Sequence, residues 1–154
     1  MSYPFNVRVY GLLINEKQQV LVSDELINGR KITKFPGGGL EFGEGTIEGI
    51  KREMMEETNT PVEVVEHFYT TDFVQASAFN PKAQVISIYY IIKTASPLNV
   101  QTSTIPFNFK EQIEGAISFR WLDVKTMSDK DFTFPIDQKV ALLLKNYLAN
   151  VKNG

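Results

Sequence analysis

From Arg52 to Glu57 the chain reads Arg-Glu-Met-Met-Glu-Glu, which places three carboxylic acids within five residues. Ile47, Ile50, Met54 and Thr58 recur around them at helical spacing, predicting an amphipathic helix over Thr46–Thr58 with that stripe turned to the core. On such a helix Glu53 lies three and four residues from Glu56 and Glu57, so the carboxylates share one face. Each like-charged pair costs about 0.2–0.5 kcal/mol on a bare helix. Glu56 and Glu57 also occupy the last turn, where the helix dipole disfavours an anion by about 0.3–1 kcal/mol. Arg52 offsets part of this by pairing with Glu56, but one cation does not neutralise three anions. A divalent cation would reverse the sign of every one of these terms. Oxygen-only ligands favour Mg²⁺ or Mn²⁺, and the softer alternatives lack ligands, because the chain has no Cys and a single His, His67. The helix alone leaves a second reading open, a solvated acidic end with no ion.

The segment leading into the helix is Pro36-Gly37-Gly38-Gly39-Leu40-Glu41-Phe42-Gly43-Glu44-Gly45. Its glycines expose backbone N–H and C=O groups and admit close approach by another group. It is not a Walker loop, since Gly43 is followed by Glu44 and not by Lys and Ser/Thr, and Phe42 breaks the spacing of a dinucleotide fingerprint.

Taken together, Gly38, Glu44 after five intervening residues, and Arg52-Glu53-Met54-x-Glu56-Glu57 after seven more resemble the Nudix box, G-x5-E-x7-R-E-U-x-E-E-x-G-U, where U is a bulky aliphatic residue. The departures are Asn59 for the last glycine and Thr60 for the last aliphatic. Asn tolerates the left-handed geometry that ends a helix, so the stop survives. Glu114-Gly115 ahead of the strand bearing Trp121 is also similar to the family.

The resemblance implies an α/β fold, a Nudix-type α/β/α sandwich with a mixed β-sheet flanked by helices. It implies hydrolysis of a nucleoside diphosphate linked to another group, with Mg²⁺ (or Mn²⁺) as the cofactor. Glu53, Glu56 and Glu57 would bind the ion, with a backbone carbonyl near Gly37 and Gly38 completing its coordination. Arg52 would orient the carboxylates and Glu44 would support the junction of loop and helix. The general base would be a helix glutamate or one from a later loop, where Glu114 is preferred because Gly115 gives it freedom. Gly37, Gly38 and Gly39 would meet the substrate's phosphates. Phe79 and Phe107, with Phe73 and Phe109, lie in or beside loop segments where a ring could stack on a base. The positions expected to carry an ADP-ribose proline or a dinucleoside-polyphosphate tyrosine hold Val74, Gln75, Ala76 and Ser77, so the substrate is not narrowed that way. A catalytically silent Nudix domain, serving as a nucleotide-ligand sensor or a protein-interaction module, is the rival. Dimers are common in the resembling family, so a homodimer is the assembly it suggests.

Composition sets the frame for this chemistry. A chain of 154 residues with 43% hydrophobic and 22% charged residues is an ordinary globular domain, and one domain over residues 1–154 is expected. Sixteen Lys and Arg against 18 Asp and Glu supply no general attraction for nucleic acid or an anionic membrane, leaving a small-molecule partner. The absence of Cys excludes disulfides, thiol nucleophiles and the cysteine of an isoprenoid-diphosphate isomerase. The first residues do not form a basic leader and apolar stretch, and the longest apolar run, Val85–Ile92, is too short to span a bilayer, so a cytoplasmic protein is expected.

The elements that must hold the acids follow from pattern. Strands are predicted over Phe5–Ile14, Gln19–Ser23 and Arg30–Phe35, the last halted by Pro36 and the glycine triplet. Two longer strands follow at Val62–Phe73 and Gln84–Thr94, the second central and covered on both faces. Ser96–Glu114 is a long loop, Ile117–Val124 a last strand, and Ile136–Leu148 a closing amphipathic helix.

Overall fold

The computed structural model describes residues 4–153. In chain order the strands are β1 (Phe5–Leu13), β2 (Gln19–Ile27), β3 (Arg30–Lys34), β4 (Gly37–Gly39), β5 (Glu63–Thr70), β6 (Gln84–Lys93), β7 (Thr102–Ser103) and β8 (Ile117–Asp123). The helices are α1 (Thr46–Thr58) and α2 (Pro135–Asn153), with a short 3₁₀ turn at Asp129–Asp131. Two compact units interleave in sequence: the first from residues up to Leu12 with Pro36–Asn99, the second from Leu13–Phe35 with the residues from Val100 on. No helix among the described residues is long and apolar enough to cross a membrane.

The first unit holds a sheet in the order β4-β1-β6-β5, with α1 against β4 and β5. Inside the sheet β6 is buried residue after residue from Tyr89 to Ile92, the pattern of a strand covered on both faces, as its unbroken apolar sequence predicts. Helix α1 has the bounds its pattern predicts. Gly45 opens it, with the Glu48 side chain reaching back to the Gly45 N–H, and Asn59 closes it at φ +51, its N–H donating to the Met55 carbonyl. Ile50, Met54 and Thr58 are buried as the stripe requires, but Ile47 is 47% exposed and Gly49 takes its place in the core-facing surface. Fully burying Ile50 and Met54 is worth about 1.5–3 kcal/mol each. Thr60, the departure at the consensus aliphatic position, is fully buried: its hydroxyl donates to the Thr58 carbonyl and accepts the Asn99 N–H, so a polar clasp stands where a methyl contact would be.

The second unit holds a sheet in the order β3-β2-β8-β7, mixed because β7 runs parallel to β8. The strand expected to stop at Ser23 continues to Ile27 and turns through Asn28 and Gly29, both at positive φ, into β3. This is the Asn-Gly hairpin signal, whose two left-handed residues match the twist of the flanking strands. Phe35 stacks on Phe132 with ring centroids 4.5 Å apart, and Val140 and Leu144 of α2 are fully buried.

Candidate active site

The glycine triplet is expected to halt β3 and to offer its backbone to an ion and to phosphates, with no element of its own. It is instead β4, an edge strand antiparallel to β1 with Gly37, Gly38 and Gly39 opposite Tyr10, Val9 and Arg8. Gly11 N–H donates to the Pro36 carbonyl and Leu40 N–H to the Val7 carbonyl, so the alternation of an antiparallel ladder turns the backbone of Gly38 towards Val9 and leaves that of Gly37 and Gly39 on the outer edge. That edge is used by α1: Gly37 N–H donates to the Glu57 carboxylate at 3.1 Å, and the Gly39 carbonyl accepts from Arg52 at 3.0 Å. Gly37 has φ +144, and a Cβ there would stand 2.1 Å from the Val9 carbonyl oxygen, so only glycine fits. At Gly38 the constraint is different. A Cβ would meet both carboxylate oxygens of Glu53 at 2.8 Å, so the absent side chain of Gly38 is the space Glu53 occupies.

Arg52 organises the acids. Its Nε and Nη2 grip Glu44 at 2.9 and 2.7 Å, while Nη1 donates to Glu53 at 3.0 Å and Glu56 at 3.2 Å. The guanidinium fork suits this bidentate grip. Its hydrogen bonds to Glu44, aided by the Glu41 backbone N–H, hold the Glu44 carboxyl down at about 2 against an ordinary 4.5. Arg52 is correspondingly driven further above its usual range, chiefly by Glu44 and then by Glu53, with burial opposing.

This grip has a measurable consequence. The folded-state value lies below the unfolded one, so Glu44 contributes stability that is complete above about 4.5 and lost as pH falls towards about 2. Denaturant titrations from pH 2 to 5 should therefore show unfolding free energy rising with pH, with a shallower rise in Glu44→Gln. Equal slopes in the two proteins would show that the grip does not survive in solution.

The three acids share a helix face, as expected, yet as they stand they do not share a focus. Among the described residues no three Asp, Glu or His side chains converge tightly enough to hold an ion. Glu57 is turned to the Gly37 N–H, Glu53 is lodged against Gly38 and Arg52, and Glu56, with a side chain 58% exposed, leans on Arg52 from the solvent side. The residues nonetheless fit a hard divalent cation. The donors are carboxylate and carbonyl oxygens, Glu53 has a cradle made by the absent Cβ of Gly38, and the neighbouring residue, Gly37, has its backbone on the outer edge of β4. Of the two carbonyls expected to help, that of Gly38 faces its ladder partner Val9.

The other expected residues come from other segments of the chain. Phe79 is in the first unit, in the loop before β6, and is 54% exposed. Phe107 and Glu114 belong to the second unit. Glu114, expected to be free as a base, is spent on the β2–β3 hairpin: its carboxylate accepts the N–H groups of Asn28 at 2.7 Å and Gly29 at 3.3 Å. Those amides point out of the turn with no strand partner, which is why an acid from a distant loop caps them. Nothing in the spacing of Glu114 announces this role. The unpaired amides of an Asn-Gly turn were the only available hint.

The sequence profile described as NUDIX domain matches residues 4–143. No curated protein sequence matches significantly. Among solved structures, the chain is similar to a NUDIX hydrolase from Nitrosomonas europaea, with 17% identity and a TM-score of 0.67 over 96% of this chain and 90% of that one. It is similar to the MutT protein from Methanosarcina mazei Go1, with 19% identity and a TM-score of 0.66 over 99% of each chain. A UDP-X diphosphatase matches at 13% identity and a TM-score of 0.62, over 95% of this chain and 64% of that one. At these identities the likeness is one of fold, the α/β/α sandwich with mixed sheets and two helices that the motif led one to expect.

Proposed function

This chain belongs to the Nudix family, whose members generally hydrolyse nucleoside diphosphate derivatives, and on that premise we propose that it is a Mg²⁺-dependent pyrophosphohydrolase. The bond cleaved is a diphosphate linkage in a nucleoside diphosphate joined to another moiety, as in a nucleoside triphosphate or a nucleotide sugar. The observation that carries this reading is the lodging of Glu53 in the space left by Gly38, with Arg52 holding it there. Loop and helix are shaped around one carboxylate, which a merely solvated acidic helix end would not require.

When bound, Mg²⁺ (or Mn²⁺) neutralises charge on the diphosphate oxygens and lowers the pKa of water. Glu53 and Glu57 would hold the ion with the Gly37 carbonyl, and Arg52, anchored by Glu44, keeps Glu53 in register. Glu56, far more exposed than Glu53 (58% against 13% for the side chains), accepts the proton of the attacking water. The base falls to Glu56 and not to Glu114 because the latter already serves the hairpin amides. Water attacks phosphorus, the bridging P–O bond breaks, and no covalent enzyme intermediate forms. Backbone groups of Gly37–Gly39 meet the phosphates, with Phe79 of the same unit as an aromatic contact.

The test is a phosphate- and pyrophosphate-release screen with Mg²⁺ over nucleoside triphosphates, nucleotide sugars, ADP-ribose and dinucleotides, with the products identified. Release from at least one class, abolished by chelator, is expected. Nucleotide binding without release across the whole set would overturn the enzymatic reading in favour of the silent sensor.

A further inference from the structure

Among the described residues, four other than glycine have positive φ: Gln18, Asn28, Asn59 and Phe107. The first three serve a hairpin, a two-residue turn and a helix stop, and the two asparagines tolerate the conformation. Phe107, at φ +54, is bulky and belongs to no regular element, so its backbone must be held there by its surroundings.

The holding group is a fully buried carboxylate. Asp24 Oδ2 accepts the Phe107 N–H at 3.0 Å. The same carboxylate is fixed by Arg120 Nε at 2.9 Å and Nη2 at 3.0 Å, and by the Thr33 hydroxyl at 2.7 Å. Phe109 returns its N–H to the Phe107 carbonyl and lies tilted against the Phe107 ring at 6.2 Å. A buried ion pair thus immobilises one loop aromatic whose ring is only half-buried. Over that ring lies the ammonium of Lys31, 5.7 Å from its centre, on an exposed residue with no carboxylate partner among the described residues.

We infer that Phe107 and Lys31 form a preorganised binding face for a ligand that is both aromatic and anionic, a nucleotide, with Asp24 as the positioning residue. A base takes the ring face from the ammonium, and the ammonium moves to a phosphate oxygen, so each group exchanges a weak partner for a stronger one. The choice of a nucleotide rests on the proposed function. The face itself lies within the second unit and needs none of the acids of α1.

Calorimetric titration of the whole protein in chelator tests it, with ADP and UDP as ligands, pyrophosphate as an anion without a ring, and adenosine as a ring without charge. Both nucleotides are expected to bind more tightly than either fragment. Phe107→Leu should weaken nucleotide binding about 10-fold, with Phe107→Tyr within about 2-fold of the original. Lys31→Met should weaken the nucleotides and leave adenosine unchanged. Asp24→Asn should mimic Phe107→Leu. If loss of its ion pair unfolds that variant, the comparison of Leu with Tyr decides alone. Equal affinity of Phe107→Leu and the unmodified protein overturns the inference, as does pyrophosphate binding as tightly as ADP. The two readings fail separately: turnover that is normal in Phe107→Leu, with unchanged binding, removes this face alone. Ring-dependent binding without any turnover removes only the hydrolase.

Discussion

Glu53→Gln and Glu57→Gln should each lower kcat with Mg²⁺ by roughly 10²–10³-fold, the scale seen when one preorganised electrostatic group is lost, with little change in the stability of the metal-free protein. The stability half of this expectation follows from the bonds each side chain makes. Glu57 accepts the Gly37 N–H, and an amide oxygen can still do so. Glu53 accepts from Arg52 Nη1, and Arg52 retains its two-point grip on Glu44. Against these near-neutral changes, each substitution removes like-charge repulsion worth about 0.2–0.5 kcal/mol, and at Glu57 an unfavourable dipole interaction of about 0.3–1 kcal/mol. Chemical denaturation in chelator should therefore place both variants within about 1 kcal/mol of the original or slightly above it. Mn²⁺ titration should show weaker binding in both. Turnover at the original rate in either variant would rule out that acid as an ion ligand.

The second large effect is expected from adding one methyl group. At Gly38 the backbone is not left-handed, so alanine brings no backbone strain, and the atoms nearest its Cβ are those of the Glu53 carboxyl group, the two oxygens at 2.8 Å and the carbon at 2.9 Å. Those atoms end a flexible side chain and can move aside at small cost to the fold. Catalysis should not tolerate the same movement, because a displacement near 1 Å at a reacting site costs about 10²-fold. Gly38→Ala should accordingly lower kcat by about 10²-fold with its melting temperature nearly kept. Gly37→Ala provides the contrast: its Cβ would meet the Val9 carbonyl oxygen at 2.1 Å at φ +144, where the obstacle is backbone, so folding itself should suffer. Circular dichroism melts beside steady-state kinetics separate the two. A fully active Gly38→Ala would show that the lodging of Glu53 is incidental.

Much of the candidate site was legible from residues close together in the chain. The bounds of α1, its stop at Asn59 and the shared face of Glu53, Glu56 and Glu57 depend on caps and three- and four-residue spacings, which act within a turn or two whatever the rest of the chain does. Periodicity also found the buried side of α1, but not its edge: Ile47 fits the stripe yet stays 47% exposed, because what covers a helix face is decided by the neighbouring strand and not by the helix.

Contacts made across long stretches of chain were not legible. Three glycines read as a stop with an accessible backbone, and only their pairing with Arg8–Tyr10 makes them an edge strand whose outer side reaches Glu57 and Arg52. Glu114 reads as a mobile acid until it is seen capping amides 86 and 85 residues away. Asp24 and Arg120, 96 residues apart, are two ordinary strand charges in sequence and one buried pair in the fold. By itself the sequence determined the family, the acidic helix and the kinds of atom that helix could offer a cation, since these follow from local geometry and residue type. Tertiary structure alone decided which carbonyl faces outward, which acid is lodged and which is spent, because each depends on where a distant strand or loop comes to rest.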